Sequence, residues 1–366
     1  MSGAVTPPPA PSARSIDDLD TPAVLIDLDR VERNVAKAQA YADEHTLALR
    51  PHVKTHKLPI LAHAQVAAGA VGVTAQKISE AAVMAQAGLD DLLLTFPIVG
   101  EQKVGPLERL ARCTRRLAVM LDNETALEHV SRAALEAGRS IEIVIEFESG
   151  NRRTGVLEPE QVRALARRVD ASPGVELRGL GTHPLGRGAA SFFAEARDLM
   201  ARDGIAARHF SGGGTPGMWR AHECEGLTEL RVGTYVYHDR ATVGAGVASF
   251  DECALSVLAT VVSCPERDRA VIDAGSKTLT SDRVREEHGA GFGILVEYPG
   301  AIVASLSEEH GVLDITDCAS RPRVGERVQV IPNHACPVTN LDDHVVAHRE
   351  GRVQWIAPVW ARGATR

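Results

Sequence analysis

The sequence predicts an α/β chain: a (β/α)8 TIM-type barrel followed by a C-terminal all-β domain. Two observations predict it. Across residues 47–236, eight near-continuous apolar runs alternate with helical periodicity. Such runs mark a parallel sheet covered on both faces, and eight in a row fit a closed barrel better than an open sheet. Past about Val243 the helical periodicity stops and short strand-like runs follow one another through tight turns.

Taken in order, residues 1–19 open on Pro, Ala and Ser with no apolar stretch, so they predict a disordered tail rather than a signal peptide or a membrane span. Thr21 to Asp29 reads as a strand ending in a helix N-cap signal, with a helix to about Glu44. The eight barrel runs are 47–50, 72–75, 92–96, 117–121, 141–147, 175–181, 207–211 and 230–236. This count is complete without strand 23–28, which makes that strand a candidate recruit of the β-domain. The predicted barrel unit is 20–245 and the β-domain 246–366, with strands at 253–263, 269–273, 302–306 and 327–331 and a hairpin 344–357 turning at Glu350-Gly351.

A chain of 366 residues can bury a barrel core and a second core. The net charge of -8, with no block of like charge, argues against a nucleic acid or an anionic membrane as partner, so small molecules are the expected business. Six cysteines occur without a Cys-x-x-Cys pair, the pattern of reduced thiols, and a cytoplasmic location is expected.

The chemistry centres on Arg50-Pro51-His52-Val53-Lys54-Thr55-His56-Lys57, at the carboxyl end of the first barrel strand, where this architecture places catalytic groups. Crowded cations lower a lysine pKa, and a lysine so tuned can condense with an aldehyde. Lys54 is the expected one and Lys57 its competitor. Ser211-Gly212-Gly213-Gly214-Thr215 follows the seventh barrel strand. Its glycines let backbone N–H groups approach an anion, at the habitual phosphate site of such barrels. The run is neither a Walker motif nor a dinucleotide fingerprint. An aldehyde-binding lysine and a phosphate loop on one barrel describe a pyridoxal phosphate (PLP) site.

These stretches, with Ala75-Gln76-Lys77-Ile78-Ser79-Glu80-Ala81, Asn151-Arg152-Arg153-Thr154-Gly155-Val156 and Pro332-Asn333-His334-Ala335-Cys336-Pro337, resemble the D-threonine aldolase and D-serine dehydratase family over nearly the whole chain. The resemblance implies an alanine-racemase-like barrel plus β-domain and a head-to-tail homodimer. It implies Lys54 as the Schiff-base lysine, Arg153 near the cofactor ring, and Gly213, Gly214 and Thr215 on the phosphate, helped by Tyr235. It also implies a divalent metal, zinc or manganese, at His334 and Cys336. Read as an extended segment, His334-x-Cys336 would point an imidazole and a soft thiolate the same way, toward one cation with open positions. His183, after the sixth barrel strand, faces the same mouth and is the candidate base. The tyrosine-bearing stretch that some family members carry at this strand end is missing, so the partner of the pyridine nitrogen is left open.

The function expected from all this is a PLP- and metal-dependent lyase on β-hydroxy-D-amino acids, of the D-threonine aldolase type. The alternative is a dehydratase yielding a keto acid and ammonia. An alanine-racemase-type isomerase and a non-catalytic PLP carrier are more distant readings, and the β-domain with His334-x-Cys336 counts against both.

Overall fold

The computed structural model describes residues 13–366. Eight strands form one parallel sheet: β2 (Ala48–Leu49), β3 (Val73–Ala75), β4 (Asp91–Leu94), β5 (Arg116–Leu121), β6 (Ile141–Glu146), β7 (Val175–Gly181), β8 (His209–Gly212) and β9 (Glu229–Leu230). Their order is β2-β9-β8-β7-β6-β5-β4-β3. A parallel bridge between His52 and Thr74, with Val53 N–H donating to Thr74 O (2.8 Å) and Thr74 N–H to Pro51 O (2.7 Å), brings the two ends together.

The helices around the sheet start and stop on local signals. Asn123 caps helix Glu124–Ala137 by accepting from Ala126 N–H, and Gly138, at φ 64, ends it in the left-handed region. Helix Pro159–Ala171 opens with proline in its first turn and a capping box between Glu158 and Gln161.

Inside the barrel the layers differ in character. Leu93, Ala118, Met120 and Val144 form a small apolar plug. Toward the strand starts lies a charged layer: Arg50 pairs with Asp91 and Glu229 at 2.7 Å each, and Arg178 with Glu229 and Glu142 at 3.2 Å each. Removing one partner of such a buried pair costs about 3–5 kcal/mol, because the other charge is then stranded. The opposite end of the barrel remains for the site.

The second sheet contains β1 (Ala23–Asp27), β10 (Leu255–Ser263), β11 (Arg269–Ile272), β12 (Gly293–Leu295), β13 (Ile302–Leu306), β14 (Gly311–Asp314), β15 (Arg327–Pro332), β16 (His344–Arg349) and β17 (Arg352–Pro358). Its order is β11-β14-β13-β12-β15-β10-β1-β16-β17, and an extra pairing of β11 with β10 closes six of the strands into an antiparallel barrel. β10 is long enough to pair with β1 through its first half and β11 through its second. β1 therefore lies in this sheet, between β10 and β16. One apolar core runs from β1 and the helix Leu28–Glu44 through Met218 and Tyr235 into the β-domain, joining the two barrels.

Several expectations need correction. Residues 1–12 of the expected tail lie outside the described residues, but Ser15 bridges Arg352 and Ile16–Asp18 is a capped 3-10 turn, so 15–18 are ordered against the hairpin. The last barrel strand is Glu229–Leu230 and not 230–236, because the chain leaves the ladder and winds into a 3-10 turn at Thr234–Val236. β12 and β14 were not legible in the sequence: each is three or four residues long, too short to show an alternation.

Candidate active site

A cavity of about 550 Å3 opens where the strand ends of the parallel barrel face the β-domain. Lys54 enters it from the loop after β2. That loop is held on several sides: Lys54 N–H donates to His52 Nδ1 (3.3 Å), His52 Nε2 is hydrogen-bonded to Gln76 Oε1 (3.1 Å), and Lys57 N–H donates to Val53 O (2.7 Å). Lys57 also lines the cavity, but its ammonium is locked to Glu80 at 2.7 Å in a buried pair. The Lys54 ammonium has no ion pair among the described residues. Burial first, then the charges of Arg153 and Arg231, hold its pKa below the ordinary lysine range, although the Cys336 sulfur pulls the other way. Desolvation, not crowding within the motif, is thus the leading cause.

Gly213, Gly214 and Thr215 follow β8 into the same cavity. Gly213 has φ +110, and a β-carbon on Gly214 would sit 2.7 Å from the His183 ring, so both positions require glycine. Thr215 opens the 3-10 helix Thr215–Glu223, and its buried hydroxyl has no hydrogen-bond partner among the described residues. A buried polar atom of this kind on a cavity wall can bond a ligand or a water.

His183 shares a 2.6 Å hydrogen bond between Nδ1 and Gly213 O. A carbonyl only accepts, so Nδ1 carries the proton and Nε2 keeps its lone pair. Burial lowers its pKa to about 4, with Lys54 and Arg231 adding to the effect, so the ring is neutral at pH 7. Arg153 reaches the cavity from the segment after β6. The cavity also holds Arg231, which sequence reasoning missed. Its Nη2 donates to Thr182 O (2.9 Å), while Nη1 is buried without a partner among the described residues, and burial lowers its pKa to about 10. The signal was present: Arg231 is the only charge inside the apolar run 230–236.

Tyr235 is not brought to the cavity. Its side chain is 1% exposed in the core joining the domains, and its hydroxyl accepts from Gln65 Nε2 (2.9 Å).

The β-domain contributes His334 and Cys336, but not from an extended segment. β15 ends at Pro332, His334 is the N-cap of helix Ala335–Leu341, and Cys336 lies in its first turn. The turn is forced by Asn333, whose Nδ2 donates to Asp282 O and Gly291 O (2.9 Å each), and by Asp239, whose carboxylate accepts from Ala335 N–H (3.0 Å). The two side chains still line the same cavity. Burial disfavours the His334 cation, yet Cys336 and Asp282 outweigh it and raise its pKa to about 9. Burial likewise opposes a Cys336 thiolate, but His334 wins and lowers its pKa.

His334 Nδ1 lies 2.7 Å from Asp282 Oδ2, leaving Nε2 for another ligand. An imidazole oriented by a carboxylate, beside a cysteine sulfur, suits a soft divalent cation. No cluster of three or more candidate ligands occurs among the described residues.

The chain matches the family model described as alanine racemase, N-terminal domain, over residues 26–241, and that of a serine dehydratase domain over 254–348. It is 35% identical to a D-threonine aldolase of an Arthrobacter species, over 100% of this chain and 99% of that one. It is 32% identical to D-threo-3-hydroxyaspartate dehydratase of a Delftia species, covering 87% and 91%. Among solved structures, D-threonine aldolase from Filomicrobium marinum superposes with a TM-score of 0.84 at 31% identity, covering 98% and 100%.

Proposed function

The chain belongs to the alanine-racemase-like family of D-threonine aldolases and D-serine dehydratases, and from that membership we propose a PLP- and divalent-metal-dependent lyase that cleaves β-hydroxy-D-amino acids to glycine and an aldehyde. One observation carries the reading: Lys54 from the barrel and His334 with Cys336 from the β-domain line a single cavity beside Gly213-Gly214-Thr215.

Lys54 would hold the cofactor aldehyde, and a lowered pKa keeps more of its amine nucleophilic. The glycines and Thr215 would hold the phosphate, Arg231 would face the ring nitrogen, and Arg153 would lie near the ring. When bound, the cofactor stabilises a negative charge at Cα. His334 and Cys336 would hold the cation, zinc or manganese, which makes a hydroxyl more acidic and so lets a weak base suffice. His183 Nε2, unprotonated at neutral pH, would take the β-hydroxyl proton as the Cα–Cβ bond breaks; Cα keeps the bonding pair and is then protonated to give glycine.

A second reading, the dehydratase, is favoured by the likeness to the Delftia enzyme. Incubating the cofactor- and metal-loaded protein with D-threonine decides between them. Glycine and acetaldehyde are expected; a keto acid with ammonia would replace the aldolase by the dehydratase.

A homodimer and a cytoplasmic location belong to the same proposal. The six cysteines are all unpaired, and no helix among the described residues is long and apolar enough to cross a membrane.

A further inference from the structure

Two threonine hydroxyls converge on the Cys336 sulfur. Thr55 Oγ1 lies 3.2 Å from Sγ and Thr234 Oγ1 lies 3.6 Å from it. Thr55 directly follows Lys54, is fully buried, and its hydroxyl has no other hydrogen-bond partner among the described residues. Gly233 makes room for it: a β-carbon there would sit 2.8 Å from Thr55 Oγ1.

The sense of this hydrogen bond depends on the state of the sulfur. As a thiol, Cys336 donates to Thr55 Oγ1. A sulfur that binds a cation has lost its proton, and then only the hydroxyl can donate.

We infer that Thr55, assisted by Thr234, donates a hydrogen bond to the Cys336 thiolate and so sets how much charge the sulfur gives to the cation it shares with His334. The inference rests on the metal-dependent reading above. A thiolate is a soft, generous donor, and full donation would weaken the pull of the cation on a substrate hydroxyl. Hydrogen bonds to the sulfur draw that density back and orient the ligand. Thr55 is therefore a positioning residue that acts through Cys336. The contact joins residues 281 apart, so the loop carrying Lys54 and the metal arm of the other domain are held in one register.

The test is spectroscopic. Cobalt(II) is loaded into the PLP holoenzyme of wild type, Thr55→Val and Thr55→Ser, and the near-ultraviolet thiolate-to-cobalt band is read as a difference against the metal-free holoenzyme. Thr55→Val should move the band to longer wavelength and lower kcat with D-threonine about tenfold to a hundredfold at little change in KM. Thr55→Ser should restore both. Thr234→Val should move the band the same way by less, and it decides alone should Thr55→Val fail to fold. A band unmoved in the valine variants, or moved as far by serine as by valine, overturns the inference. Absence of the band in wild type does so too, since Cys336 would then be no ligand. A band that shifts as expected in a protein that cleaves no β-hydroxy-amino acid supports the inference about the sulfur and removes the lyase reading instead.

Discussion

The two walls of the cavity are built differently. The barrel wall is a set of loops anchored at strand ends: the Lys54 loop is tied by the His52–Gln76 hydrogen bond, the Lys57–Glu80 pair and backbone bonds to Thr74 and Val53. Three of its buried polar side chains, Glu146, Thr215 and Arg231, have atoms without partners among the described residues. The β-domain wall is one helix start, with His334 42% exposed at the side chain and held by Asp282. A covalently held cofactor suits the first, which nothing needs to leave. An exchangeable cation suits the second, which solvent must reach. Loss of the cation should therefore leave the cofactor in place, although Thr55 ties the two walls at Cys336.

The largest effect is expected on the barrel side. Lys54→Ala should lower turnover by on the order of 10^4 or more, as loss of a covalent catalyst does, and abolish the lysine-bound cofactor absorbance. Mapping the borohydride-trapped adduct checks it, and an adduct on Lys57 would reassign the lysine.

His183→Ala comes next. Loss of a general base costs about 10^2- to 10^4-fold in kcat, and the cofactor should still be held through Lys54, although Gly213 O loses its bond to the ring. Retention of near-normal kcat with D-threonine would remove His183 from the chemistry.

On the other wall, Cys336→Ala should lower activity by about a hundredfold or more, since loss of an orienting neighbour alone reaches that range. The cofactor spectrum should stay that of wild type, and a chelator should reproduce the effect reversibly. If metal leaves and cofactor leaves with it, the walls are not independent.

Acid should weaken the interior. Burial holds His56, His183 and His238 at about 4, below the ordinary 6.5. Between these values the unfolded chain binds more protons, so stability is full above about 6.5 and falls as pH drops toward about 4. Urea midpoints across that window should decline, and His56→Gln should flatten the slope.

The smallest effect is expected from Tyr235→Phe. It removes the hydroxyl that accepts from Gln65, costing about 1 kcal/mol of stability, and should leave cofactor affinity unchanged. A weakened cofactor would mean that the tyrosine serves the phosphate after all.

The sequence by itself determined the architecture and the two motifs that anchor the site. Alternating apolar and helical periods are local, so the eight parallel strands could be counted, and the glycines after the seventh marked a loop whose backbone only they tolerate. It expected His334 and Cys336 to meet from an extended segment, whereas the structure brings both to the cavity from a helix start, for the end of β15 is set by Asn333 and Asp239, which reach elements 42 to 96 residues away. Only the tertiary structure decided that Arg231 faces the cavity while Tyr235, four residues on, faces the core. It also decided that Lys57 is neutralised by Glu80 and that Thr55 meets Cys336. Each of these depends on which side of a loop turns inward, and that is fixed by packing between distant segments rather than by the residues next in line.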